Sequence, residues 1–217
     1  MITADQIRQE ALAVGFDDCG VATAERLDTD AQFMEQWLSL QTYGRHDYLT
    51  RNRELRYDIT RLVPGAQTVV VCLLAYAKCG KDYHRTVKSL LYQLKAHLGD
   101  RCQYAATQHI FCDSAPVLER RWAVKAHLGF IGLNHQFISP VLGSVVHLGE
   151  LVLNTPVSPT SAMTTGTSAG CNDCHKCIDA CPAHALGQDT WDIRRCIAYQ
   201  TNYCMRCQEV CPYNTII

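Results

Sequence analysis

The sequence predicts an α+β protein in two parts: a mixed α+β sandwich over residues 1–154 and a small helical module over residues 171–217, joined by a linker at 155–170. Three observations predict it. Helical and strand patterns alternate as far as Asn154, which is how layered α+β folds read. Residues 155–170 are rich in Pro, Ser, Thr and Gly, a linker composition. Eight of the thirteen cysteines then fall between Cys171 and Cys211.

The elements follow in order. Thr3-x-x-Gln6 reads as a capping box, with Ile7, Ala11, Leu12 and Val14 at helical spacing until Gly15 stops the turn. Gly15 to Val21 reads as a loop into a short strand. Asp30 to Leu40 reads as a second helix, with Phe33, Met34, Trp37 and Leu38 on its apolar face. From Tyr43 to Arg61, charges including Arg45, Arg51, Arg56 and Asp58 interleave with Tyr48, Leu49 and Tyr57; this suits a solvated face or the lining of an anionic ligand. Pro64-Gly65 marks a turn before Gln67 to Tyr76, the clearest buried strand. A polar loop leads into a helix with Val87, Leu90, Leu91, Leu94 and Leu98 on one face, ended by Gly99. Cys102 to Cys112 reads as another strand. Asp113-Ser114-Ala115-Pro116 reads as the opening of a third helix that runs to Gly129, with Asp113 a favoured N-cap type. Val145 to Leu148 and Leu151 to Leu153 read as paired strands on either side of Gly149-Glu150.

The cysteine spacing carries the chemistry. It runs Cys171-x2-Cys174-x2-Cys177-x3-Cys181-Pro182, then Cys196-x7-Cys204-x2-Cys207-x3-Cys211-Pro212. The first run has the bacterial 4Fe-4S spacing, in which three close thiolates hold one cube and the fourth, before proline, reaches the other. In the second run Thr201 stands three before Cys204, so Cys196 must supply the missing thiolate. The expected ligand sets are Cys171, Cys174, Cys177 with Cys211, and Cys196, Cys204, Cys207 with Cys181. Two zinc sites would use similar ligands, but rarely repeat this spacing. A disulfide framework suits oxidising compartments, and no secretory signal precedes the opening Met1-Ile2-Thr3.

Composition narrows the rest. With 217 residues, 47% of them hydrophobic, the chain can bury one sizeable core plus a small module. Twenty basic against twenty-one acidic residues leave no broad electrostatic footprint for nucleic acid. The longest apolar run, Val69 to Ala75, is too short to span a bilayer. No membrane partner is expected, and the thiol content suggests a reducing, cytoplasmic location. Cys19, Cys72, Cys79, Cys102 and Cys112, outside the cluster runs, read first as small buried hydrophobes.

At Phe111 to Arg120, Gly129 to Gly132 and Leu148-Gly149-Glu150 the chain resembles the epoxyqueuosine reductase family, and the likeness extends to Arg56 to Asp58, Lys81 to His84 and Arg194 to Ile197. The resemblance implies a nitroreductase-like, cobalamin-reductase-type α+β sandwich with a C-terminal ferredoxin-like module. It implies two 4Fe-4S clusters that pass electrons from an external flavodoxin- or ferredoxin-type donor to a bound cobalamin, which reduces epoxyqueuosine in tRNA or a smaller organic molecule. Asp113 would be the proton donor. Corrin contacts would fall at Arg56, Asp113, Phe137, Ile138, Ser139 and Leu148, with Cys204 and Met205 facing from the cluster side and Cys79 a candidate cobalt ligand. Two features depart from the family. Leu133 stands where a lysine is usual in Gly132-Leu133-Asn134-His135, and the sequence ends at Ile217 without the helical-repeat domain, so it reads as a short form. Two other readings stay open: a non-catalytic electron or corrinoid carrier, and a flavin-binding ferredoxin-like reductase.

Overall fold

The computed structural model describes residues 2–106, 108–161, 170–187, 190–201 and 203–214. Thr3 closes the expected capping box with Gln6, and α1 (Ala4–Val14) ends on Gly15 at φ 114°. Strand β1 (Asp18–Thr23) follows, then α2 (Asp28–Ser39). Helix α2 buries Ala31 and Leu38, while Phe33, expected inside, is 48% exposed. The polar stretch forms α3 (Arg53–Tyr57) and α4 (Ile59–Leu62), the latter capped by the Asp58 carboxylate.

Strand β2 (Thr68–Ala75) is the spine of the fold. Its residues from Thr68 to Leu74 are buried on both faces. Alternate residues feed two cores: Val70, Cys72 and Leu74 meet α1 and α5 (Tyr83–Leu98), while Val69, Val71 and Leu73 face the other side. Burying each such Val or Leu is worth about 1.5–3 kcal/mol.

Three sequence expectations change beyond α5. The strand read from Cys102 to Cys112 shrinks to β3 (Ile110–Phe111), the preceding stretch being tied to the sheet end through the Asn154 N–H to Gln103 O bond of 2.8 Å. The third helix, α6 (Glu119–Lys125), begins six residues after Asp113, and Asp113 sits at φ 49°, so it is not the N-cap. After the short pair β4 (Phe130–Ile131) and β5 (Phe137–Ile138), the expected hairpin at Gly149-Glu150 is one unbroken strand, β6 (Val146–Leu153). Gly149 serves close packing, not a turn: a Cβ there would lie 2.5 Å from Val87 Cγ1 on α5.

The sheet order is β1-β2-β6-β3, all antiparallel, with helices on both faces. Gly20 on β1 lets α6 approach, since a Cβ would meet the Ala126 carbonyl oxygen at 2.4 Å. Gly20→Ala is therefore expected to cost about 1–3 kcal/mol by overpacking against backbone, read as a lower urea midpoint with an unchanged slope.

Of the expected linker, residues 162–169 lie outside the described residues. Residues 155–161 are bonded to the sheet: Thr160 N–H donates to Val21 O at 2.9 Å and its Oγ1 accepts the Val21 N–H at 2.8 Å. The C-terminal part carries α7 (Lys176–Asp179), α8 (Ile197–Thr201) and α9 (Arg206–Glu209). It docks through Gln208 and Asn214, which both donate to Ser144 Oγ, at 3.2 and 3.0 Å, and through Trp37 Nε1 donating to Trp191 O at 3.3 Å. Among the described residues no helix is long and apolar enough to cross a membrane.

Candidate functional site

Each cysteine run folds the same way. A turn in which Cys174 N–H reaches Cys171 O leads to α7, and the Met205 turn leads to α9; Cys177 and Cys207 take the second position of each short helix. Pro182 and Pro212 then end each run, because proline has no N–H with which to continue a helix. Helices α7 and α9 lie against each other.

This packing divides the eight thiols between two cavities. Cys171, Cys174, Cys177 and Cys211 line one cavity of about 360 Å³, together with Ile138 and Tyr213. Cys181, Cys196, Cys204 and Cys207 line a second of about 420 Å³, with Trp191 and Tyr199. Burial, then the neighbouring thiols Cys177, Cys196, Cys204 and Cys181, push Cys207 up to about 11, so the two rings are adjacent. Among the described residues no three His, Cys, Asp or Glu side chains converge closely enough to hold a single metal ion. Backbone N–H groups point at the sulfurs, Leu133 to Cys171 at 3.3 Å and Ala185 to Cys181 at 3.4 Å. Asn134 lines both cavities, buried at 2% exposure, and its Nδ2 has no partner among the described residues. An unused donor between two thiol rings suits a sulfide-rich cluster, whose potential such hydrogen bonds tune. The residues present therefore fit 4Fe-4S groups.

A second constellation lies at the sheet end where β2 stops and β6 starts. Tyr76, His147, Tyr83 and His84 stack in sequence with ring centroids 4.2, 4.0 and 4.0 Å apart. The Tyr83 hydroxyl donates to Asp113 Oδ2 at 2.8 Å, and the Asp113 N–H donates to Glu119 Oε1 at 2.6 Å. Asp113 is exposed, whereas Glu150 behind it is fully buried. Burial, the Asp113 bond and the Asp113 charge hold the Tyr83 phenol protonated well past its ordinary range. Arg120 lies within electrostatic reach of Asp113, Tyr76 and Glu119, which places a cation here despite Leu133.

The expected corrin contacts divide. Arg56 is buried, with its guanidinium 5.9 Å from the Tyr48 ring centre and its Nε without a partner among the described residues; a hydrogen-bond acceptor would satisfy it. Met205 is 42% exposed and Leu148 partly so. Phe137 instead packs in the α6-side core, Ile138 lines the first thiol cavity, and Ser139 Oγ accepts the Val141 and Leu142 N–H groups. Cys79 is half-buried against the α5-side core, and burial pushes its thiol up. Sequence reasoning gave no role to Tyr83, Arg120, Glu119 or Glu150. The signal was present in the Lys81 to His84, Asp113 to Arg120 and Leu148 to Glu150 motifs, but what brings them together is the unbroken β6.

An antiparallel α+β sheet carrying two adjoining four-thiol cavities suits an oxidoreductase, and the solved structures narrow the class. The epoxyqueuosine reductase of Streptococcus thermophilus matches at TM-score 0.84 and 25% identity, over 98% of this chain and 66% of that one. An epoxyqueuosine reductase bound to an epoxyqueuosine-modified tRNA-Tyr stem loop matches at 0.81 and 25%, over 97% of this chain and 65% of that one. A reductive dehalogenase structure, reported for B12-dependent dehalogenation, shares the fold at TM-score 0.58 and 15% identity, over 97% of this chain and 32% of that one. No protein-family profile matches. Among curated relatives, the epoxyqueuosine reductases of Leadbetterella byssophila and Cyclobacterium marinum are 32% and 33% identical over 97% and 96% of this chain, which covers 79% and 78% of theirs. The chain belongs to the epoxyqueuosine reductase family. It spans just under two thirds of the two solved reductases.

Proposed function

We infer that the protein is a cobalamin-dependent iron-sulfur reductase acting on epoxyqueuosine in the anticodon loop of a tRNA, with Asp113 as proton donor. The observation that carries this reading is the division of eight thiols from two consecutive runs between two cavities of four, with Cys181 and Cys211 exchanged. In this reading the bound groups supply electrons and a low-valent cobalt nucleophile for the epoxide. The chain supplies the rest. Arg56, Leu148 and Met205 would hold the corrin, and the exposed Asp113 carboxyl delivers a proton to the substrate oxygen while Tyr83 fixes its direction. Arg120 steadies negative charge at that oxygen and keeps the carboxylate in place once the proton has left. Further support comes from relatives: one solved reductase holds a modified tRNA stem loop, and one from Bacillus subtilis is described by the swung-out position of an aspartate-bearing catalytic loop.

The test is direct. Anaerobically purified protein is expected to carry about eight irons per chain, as two 4Fe-4S cubes require. It should give a base-off corrinoid spectrum on adding cobalamin and convert an epoxyqueuosine stem loop when reduced by a flavodoxin or ferredoxin. Zinc in place of iron sinks the reading; bound yellow flavin with no corrinoid uptake sinks its cobalamin half.

A further inference from the structure

Glu150 is an unusual residue to find in the middle of a strand. It lies on β6 opposite Phe111 on one side and Val71 on the other, with 0% exposure. Neither of its carboxyl oxygens meets an N–H or O–H donor among the described residues. Its side chain shares a sheet face with Val71, Phe111 and Val152, the face against which α6 packs, and the Glu119 carboxyl at the start of α6, which also accepts the Asp113 N–H at 2.6 Å, lies within its field. Glu150 is fully buried and Glu119 half-buried, and two carboxylates this close are disfavoured unless one carries a proton.

We propose that Glu119 and Glu150 share one proton in a carboxyl pair, and that this pair is the latch holding the Asp113 loop in its left-handed conformation. Glu150 anchors Glu119, Glu119 holds the Asp113 amide, and Tyr83 holds its carboxylate. As positioning residues for a proton donor, the two glutamates rest on the reductase reading. As a latch on a loop they do not.

The surroundings support a shared proton. Glu119 is faced by Asp113 and Arg120, and Tyr83 and Cys112 lie within its field; Glu150 is faced by Glu119 and Asp113, with Cys72 and Cys112 nearby and Lys88 beyond Cys112. Only Arg120 and Lys88 are cationic in that set. Burial, then Asp113, raises Glu119 from 4.5 to about 8, and burial, then Glu119, raises Glu150 well above its ordinary range. A raised carboxyl means that the folded chain holds a proton which the unfolded chain releases. The latch is therefore complete at acid pH and is lost as pH rises through about 8.

Amide exchange of the whole protein, followed at the peptide spanning residues 111–118 and divided by intrinsic rates, tests this without any turnover. In the wild type, protection is expected to fall about tenfold between about pH 7 and about pH 9. In Glu150→Gln the amide gives Glu119 a permanent donor, so protection should stay level over that range. Glu119→Gln keeps an acceptor for the Asp113 amide and gives Glu150 an N–H, so it should behave alike and can decide the matter if the other variant does not fold. Glu119→Ala should expose the segment at every pH. Protection in the wild type that ignores pH, or glutamine variants that loosen as the wild type does, would overturn the shared proton; wild-type protection in Glu119→Ala would overturn the latch. A chain that shows this exchange pattern yet reduces no epoxide would refute the reductase reading and leave the latch standing.

Discussion

Asp113→Asn is expected to lower turnover about 10²–10⁴-fold while iron content and corrinoid uptake stay at wild-type levels. Asparagine tolerates a φ of 49° and keeps an oxygen for the Tyr83 hydroxyl, so the loop should hold its place. What it lacks is a proton acidic enough to deliver to the oxygen of an opening epoxide. The measurement is single-turnover conversion of an epoxyqueuosine stem loop, with the absorbance spectrum recorded on the same sample. Retained turnover would remove Asp113 from the chemistry. Loss of the corrinoid spectrum together with turnover would make it a binding residue.

The second large effect concerns the crossed ligand sets. Cys181 belongs to the first run in sequence but lines the cavity of Cys196, Cys204 and Cys207, and Cys211 does the reverse. Cys181→Ala is therefore expected to drop iron from about eight to about four per chain, and Cys211→Ala to do the same. The double variants discriminate. Cys181→Ala with Cys204→Ala strikes one cavity twice and should still leave about four irons, whereas Cys181→Ala with Cys174→Ala strikes both and should leave almost none. If the first pair empties the protein and the second leaves half its iron, each run binds its own cluster and the crossing is wrong.

Much of this was legible because its causes are local. The Thr3 and Gln6 box, the Gly15 stop and the doubly buried β2 depend on near neighbours in the chain, and so does the turn that presents each set of thiols. What sequence misread depends on distant partners. Gly149-Glu150 looks like a turn because a glycine stands between two apolar runs; it is strand because it pairs with β2 on one side and β3 on the other and because α5 needs a bare backbone there. Asp113 looks like a helix cap because the packing that delays α6 to Glu119 leaves no mark in the neighbouring residues. The surroundings of Phe137 to Ser139 are illegible for a similar reason: β5 places Phe137 in the core and Ile138 on a thiol cavity, and Ser139 after it accepts bonds from its own turn.

The bonds between Thr160 and Val21 have one more effect. Strand β1 forms an outer margin of the sheet, and an open margin is a template on which another polypeptide can add a strand. Thr160 occupies both the donor and the acceptor of Val21 at mid-strand, so the segment leaving the sandwich also shields it from self-association.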